Sequence, residues 1–326
     1  MKKILITGAA GFIGSHLALH LKKRGDFVLG LDNFNSYYNV ELKEKRAKKL
    51  NSANIDIVRA DIQNREILID LFSRYEITHC VHLAAQAGVR HSLIAPNDYI
   101  ASNLDGFVSI LETCRKTPKT KLIYASSSSV YGLNKKIPFS VEDTTDQPTN
   151  LYGATKKANE AMAHAYHHLY GICITGLRYF TVYGPWGRPD MAYYHFAKNI
   201  LEGHPIQIFN SGKMKRDFTY IDDIVQGTTA AIDLGASNEI FNLGSNRPIE
   251  LMYLIELIEK NMGKNAIKQM QPMQQGEVLE TYADIEKSEK LLNYRPMVAI
   301  EEGISRFLDW FHLETAVDRG CRIYSP

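Results

Sequence analysis

Apolar residues run through the first half of the chain in two alternating rhythms. Continuous apolar runs of five or six residues predict strands buried on both faces. They are Lys3-Ile4-Leu5-Ile6-Thr7, Phe27 to Leu31 ending at Asp32, Ile55 to Arg59 ending near Asp61, His79 to Leu83, Lys121 to Ala125 and Ile172 to Leu177. Between most of them the apolar positions fall at helical spacing, as with Ile13, Leu17 and Leu21, which predict a helix over Gly14 to Lys23. This alternation predicts an α/β fold, a Rossmann-type doubly wound parallel sheet with ligands beyond the carboxyl ends of its strands. After Phe180 the rhythm breaks. Gly184-Pro185-Trp186-Gly187-Arg188-Pro189 is a turn-rich stretch, and shorter elements follow, with helices near Tyr193 to Glu202 and Leu251 to Asn261. The expected division is a first domain over residues 1–180 and a smaller C-terminal α/β domain over 181–326. Segments such as Ile221 to Leu234 are expected to return to the sheet side. The charged run Glu41 to Lys49 predicts a solvated helix.

Composition narrows the partners. The 38 basic and 36 acidic residues nearly cancel, which gives no electrostatic reason to expect a nucleic acid or a membrane surface. Cys80, Cys114, Cys173 and Cys321 form no CxxC pair, and Cys80 and Cys173 read as buried thiols inside apolar runs. With the first strand starting at Lys3 and no apolar run of bilayer length, a reducing cytoplasm is the expected setting. His164, His167 and His168 share one helical stretch without a carboxylate at zinc spacing, so no metal is expected.

Gly8-Ala9-Ala10-Gly11-Phe12-Ile13-Gly14 joins the first strand to the first helix. Glycines there let the backbone approach a pyrophosphate, toward which the helix points its first amides. The spacing is GxxGxxG, one residue longer at the first gap than GxGxxG. Asp32, ending the second strand, can accept bonds from both ribose hydroxyls and would repel a 2'-phosphate, favouring NAD over NADP. Around the same ligand Asn33 follows Asp32, Asp61 reads as a partner of the adenine amine or as a helix cap, and Ile62 reads as packing the ring. Leu83-Ala84-Ala85 lets a strand end pass close to the cofactor, with Asn103 tying that turn down.

Tyr152 and Lys156 stand four residues apart and therefore share a helix face. A tyrosine with its ordinary pKa near 10 is mostly in the wrong form to act as a base at neutral pH, and neighbouring positive charge favours its phenolate. Ser127, in the run Ser126 to Ser129 closing the fifth strand, can share a hydrogen bond with a reacting oxygen. Dinucleotide cradle, tyrosine, lysine and serine together predict redox chemistry at a hydroxyl carbon.

These motifs resemble the extended short-chain dehydrogenase/reductase superfamily, and within it the nucleotide-sugar 4-epimerases, nearest the UDP-glucuronate 4-epimerases. The segments that carry the finer likeness are Asp32 to Tyr38, Gln86 to Arg90, Arg178 to Met191 and Arg216 to Asp223. The resemblance implies Tyr152 as base, Lys156 as its partner and Ser127 as support, with Tyr179 and Val182 on the nicotinamide side. It implies a tightly bound NAD+ regenerated at each turnover, as C4 of the sugar is oxidised, the 4-keto ring turns and reduction occurs on its other face. It places Arg216 and Arg295 on the UDP phosphates, Gln207, Ile208 and Phe209 along the uridine, and Val89 and Arg90 beside the substrate. Ser128, Ser129, Thr181 and Arg188 are candidates to hold a sugar carboxylate. A homodimer is implied through the helices near Asn103 to Lys116 and Tyr152 to Tyr170. A UDP-glucose/UDP-galactose 4-epimerase would use the same reacting residues. A dehydratase or decarboxylase is disfavoured because Ser128 and Ser129 stand where an acid is expected, and an NAD-binding scaffold is disfavoured by the retained Tyr152 and Lys156.

Overall fold

The buried strand sequences assemble as their apolar character requires. In the computed structural model, which describes residues 1–272 and 279–318 with side chains through Thr315, seven strands form one parallel sheet. They are β1 (Lys3–Thr7), β2 (Phe27–Asp32), β3 (Ile57–Arg59), β4 (His79–His82), β5 (Lys121–Ser127), β6 (Ile174–Tyr179) and a seventh over Asn238–Leu243. In space the order is Asn238–Leu243, β6, β5, β4, β1, β2, β3. The winding reverses between β1 and β4, which lie side by side while their connections leave in opposite directions. That reversal opens a crevice at their carboxyl ends.

Several elements differ from the sequence reading; the fourth strand stops at His82 and the fifth runs on to Ser127. The third strand begins at Ile57, because Ile55 and Asp56 form its approach, with the Asp56 carbonyl accepting from Gly30 N at 2.8 Å. The sixth is shifted by two residues, from the expected Ile172–Leu177 to Ile174–Tyr179. The seventh was not foreseen, since Asn238-Glu239-Ile240-Phe241-Asn242-Leu243 mixes polar and apolar positions; it pairs in parallel with β6 and its inner half is buried. The helix Ile221–Leu234 does pack on the sheet side, against α1 (Phe12–Lys23).

The helix α2 (Val40–Ser52) covers the charged run, and here the expectation of a solvated helix fails. Lys43 and Arg46 are buried, because this face of α2 packs against polar backbone rather than against apolar side chains. Cys80 and Cys114 are buried but Cys173 is only partly so, standing one residue before β6; Cys321 lies outside the described residues.

The second lobe carries a four-stranded sheet of Thr181–Tyr183, Lys215–Tyr220, Pro248–Glu250 and Glu280–Thr281, and a parallel pair, Ile206–Phe209 with Lys268–Gln271. One apolar cluster runs from Ile4 and Leu177 through Phe241 to Ile255 and Phe307, so the two lobes share a core. No described helix is long and apolar enough to cross a membrane.

Candidate active site

Steric demand explains the glycines. Gly8 has φ +73°, and a Cβ on it would lie 2.8 Å from Ala84 N, so the loop after β1 presses directly on the turn after β4. A Cβ on Gly14 would lie 2.1 Å from the Gly8 carbonyl oxygen, closer than any atom pair tolerates. The first amides of α1 have no side-chain cap and no acidic residue in the first turn. An uncapped helix N-terminus behind a loop without side chains suits a pyrophosphate. Gly14→Ala is therefore expected to weaken NAD binding by at least about 100-fold, or about 2.7 kcal/mol. Titration calorimetry measures this, and unchanged affinity would exclude the loop as the cradle.

Asp32 takes one backbone donor on each carboxylate oxygen, Ala10 N at 3.0 Å and Phe34 N at 2.9 Å, while lining the cleft. Burial pushes its carboxyl upward, opposed by those two bonds and by Lys43 and Arg46. Asn33 and Ile62 also line the cleft. Asp61 stands behind them, accepting from Asn33 Nδ2 at 2.8 Å, and the cap of α3 (Arg65–Tyr75) is Asn64 instead. Leu83, Ala84 and Ala85 form wall. Asn103 does not; it is buried and bonds both backbone groups of Gln86 and the Thr155 hydroxyl at 2.8–3.0 Å. It ties the β4 turn to the helix that carries Tyr152.

That helix, Leu151–Tyr170, starts at Asn150, whose side chain accepts from Gly153 N at 2.8 Å. The cap sets Tyr152 in the first turn and Lys156 one turn on. Both reach the cleft, together with Ser127 at the end of β5. Burial raises the Tyr152 phenol, while a hydrogen bond with Ser127 and the charge of Arg188 lower it. Lys156 donates to the Ala125 carbonyl at 2.8 Å, and its burial brings it down to about 8. Arg188 and Lys156 line the same cleft as the phenol, and the charge of Arg188 acts on it. Arg188 itself is held by Asp190, through Nε at 3.0 Å and a second contact, and by the Ala87 carbonyl; Tyr37 donates to the same Asp190 at 3.0 Å.

Phe12, Ile13, Tyr179 and Val182 complete the wall beside the glycines. Ser128, Ser129 and Thr181 are partly buried next to it without forming it. Of the substrate candidates of the second lobe only Arg188 lines the cleft; the others are not gathered there. Arg90 stacks over the Phe209 ring at 5.0 Å, joining the loop after β4 to that lobe. Ile208 is fully buried, which leaves only its backbone for a ligand, while Gln207 is exposed. Arg216 donates to the Lys215 and Leu279 carbonyls, Arg295 is exposed, and Val89 lies partly buried beside Arg90.

Sequence reasoning missed Tyr37, Tyr38 and Lys43, which line the cleft. It also missed Glu160, whose carboxylate forms a two-point ion pair with Arg178 at 2.8 and 2.9 Å and accepts from Ser126 at 2.6 Å. Glu160 lies one turn beyond Lys156, and that spacing was the available signal.

Residues 4–244 match the model of the NAD dependent epimerase/dehydratase family. The chain belongs to that family. It is 48% identical over 326 residues to UDP-glucuronate 4-epimerase 4 of Arabidopsis thaliana, covering 94% of this chain and 75% of that one. It is 46% identical to protein CapI of Staphylococcus aureus, over 95% of this chain and 98% of the other. Among solved structures, the UDP-glucuronic acid 4-epimerase of Bacillus cereus in complex with UDP-glucuronic acid and NAD superposes with a TM-score of 0.90 at 38% identity, covering 96% of this chain and 99% of that one. The glycine loop, the uncapped α1 and Asp32 fit NAD in this family member.

Proposed function

We propose that this protein is a UDP-glucuronate 4-epimerase, interconverting UDP-glucuronate and UDP-galacturonate with NAD held through turnover. The observation that carries the reading is the convergence of Ser127, Tyr152, Lys156 and Arg188 on one cleft with the glycine cradle. Bound NAD supplies the reversible two-electron oxidation at C4. Tyr152 takes the O4 proton as the base and later returns it. Ser127 shares the proton path, and Lys156, braced on the Ala125 carbonyl, orients the cofactor ribose. Tyr179, its hydroxyl 2.9 Å from the Thr228 hydroxyl, and Val182 close the nicotinamide side. Arg188 meets the sugar carboxylate, assisted by Thr181, Ser128 and Ser129. Arg216 and Arg295 hold the UDP phosphates, with Gln207, Ile208 and Phe209 along the uridine and Val89 and Arg90 at the rim. Anchoring the nucleotide lets the sugar turn without leaving, so remote binding energy serves the reaction.

Residues 1–180, with the returning segments, form the cofactor domain and 181–326 the sugar-nucleotide domain. The protein works in the cytoplasm as a homodimer joined through the helices Gly106–Lys116 and Leu151–Tyr170.

Incubation of the purified protein with UDP-glucuronate, without added NAD, is expected to yield UDP-galacturonate, read by chromatographic separation of the C4 epimers. Turnover of UDP-glucose with none of UDP-glucuronate would replace this reading by the UDP-glucose 4-epimerase one. That alternative has its own support in the Thermotoga maritima UDP-glucose 4-epimerase structure, similar at a TM-score of 0.87 and 31% identity over 96% of this chain and 99% of the other.

A further inference from the structure

Arg46 occupies a place that the reaction does not explain. It projects from the middle of α2 and is 1% exposed. Its guanidinium uses all five N–H groups. Nε donates to the Trp186 carbonyl at 3.2 Å, Nη1 to the Ala10 carbonyl at 3.1 Å and the Tyr38 hydroxyl at 2.7 Å, and Nη2 to the Trp186 and Gly187 carbonyls at 2.6 and 3.1 Å. None of these acceptors is a carboxylate. Asp32 feels the charge of Arg46 but bonds Ala10 N and Phe34 N instead. A buried charge without an anionic partner is costly, and simple packing would be served by an apolar side chain.

The backbone acceptors belong to two separate loops. Ala10 lies inside the glycine cradle. Trp186 and Gly187 immediately precede Arg188, whose charge acts on Tyr152. Trp186 has φ +59°, a conformation disfavoured for a residue with a Cβ, and Arg46 grips its carbonyl with two N–H groups. Its ring is held from α2 as well, with Lys49 Nζ 5.4 Å from its centre. One planar fork thus spans the cofactor loop and the loop that aims Arg188. A lysine ammonium, a point donor, cannot reach both.

We infer that Arg46 is a positioning residue that couples the cofactor loop to Arg188, so that NAD seated at the cradle fixes where Arg188 stands against Tyr152. The inference rests on the proposed epimerase reading for the role of Arg188, but not for the coupling itself.

Hydrogen exchange of the amides in residues 184–191, with and without NAD, tests the coupling in the absence of any sugar nucleotide. In the parent protein NAD is expected to slow exchange there by at least about tenfold. In Arg46→Lys, NAD still binds by titration but that stretch no longer responds. An equal response in both proteins, or none in the parent, overturns the inference. A double-mutant cycle gives a second reading. Arg46→Lys is expected to lower kcat/KM about 30-fold in the parent and less than about threefold in Arg188→Ala, and equal costs in both backgrounds would mean that Arg46 only supports the fold. Should Arg46→Lys not fold, Tyr38→Phe, which removes one of the five hydrogen bonds, is expected to show a smaller effect with the same dependence on Arg188. A loop that responds to NAD in a protein inactive on UDP-glucuronate would keep the coupling and discard the substrate assignment.

Discussion

Tyr152→Phe folds and binds NAD but turns over UDP-glucuronate at least about 10³-fold more slowly than the parent, the range expected when a positioned general base is lost. The substitution removes one oxygen and keeps the ring that packs edge to face on Tyr99, with centroids 6.3 Å apart, so stability changes little. A stopped assay of epimer formation measures the loss, and full turnover by the variant would end the assignment. The pH profile provides a second check. Burial raises the phenol, and Ser127 and Arg188 oppose that rise. In the proposed mechanism the base is the phenolate, so kcat/KM is expected to climb with pH until the phenol has titrated. Arg188→Ala removes one of the two opposing influences and moves that limb to higher pH. Lys156 titrates in the other sense. Its ammonium is lost as pH passes about 8 in the folded protein, against an ordinary value of 10.5. Between those two values the unfolded chain binds more protons, so this group favours the folded state increasingly as pH rises through that window.

Glu160→Ala costs about 3–5 kcal/mol, because it leaves the Arg178 guanidinium buried without its anion. The loss extends beyond one pair. Arg178 also donates to the Tyr131 hydroxyl at 3.0 Å, Tyr131 donates to Asn242 at 2.6 Å, and Asn242 donates to the Phe139 and Asp284 carbonyls. The chain of bonds runs from the Tyr152 helix across β5 and β6 to the seventh strand and then to residue 284. Ser126, bonded to Glu160, precedes Ser127, and Arg178 precedes Tyr179. The variant therefore loses activity together with melting temperature, which calorimetry and the epimer assay read separately. Joint replacement by Glu160→Gln and Arg178→Met is expected to cost less than Glu160→Ala, because no ion is then left unpaired. A change below about 1 kcal/mol in Glu160→Ala would show that the network does not hold the sheet.

Much of the site could be read along the chain, for a reason visible in particular residues. Gly8, Gly11 and Gly14 are demanded by backbone approaches of the order of one Cβ, and such approaches exclude every other residue type. Tyr152 and Lys156 lie on one helix, where spacing dictates facing. Asp32 ends a strand whose apolar run marks its own boundary. The misreading of α2 has the opposite cause. Arg46 and Lys43 look like solvated charges because composition cannot show which face of a helix meets backbone carbonyls from a loop 140 residues away. Glu160 is a similar case: it is polar, buried and satisfied only by partners distant in sequence.

What the amino-acid sequence determined by itself was the alternating parallel fold, the cofactor cradle and the tyrosine–lysine pair, since each depends on local backbone geometry or on spacing within about one helical turn. Tertiary structure alone decided that Arg188 brings positive charge to the phenol, that the seventh strand joins the sheet, and that Arg46 reaches two loops at once. These depend on which surfaces meet when distant segments pack, where burial and hydrogen-bond partners reset the charge and reach of a side chain.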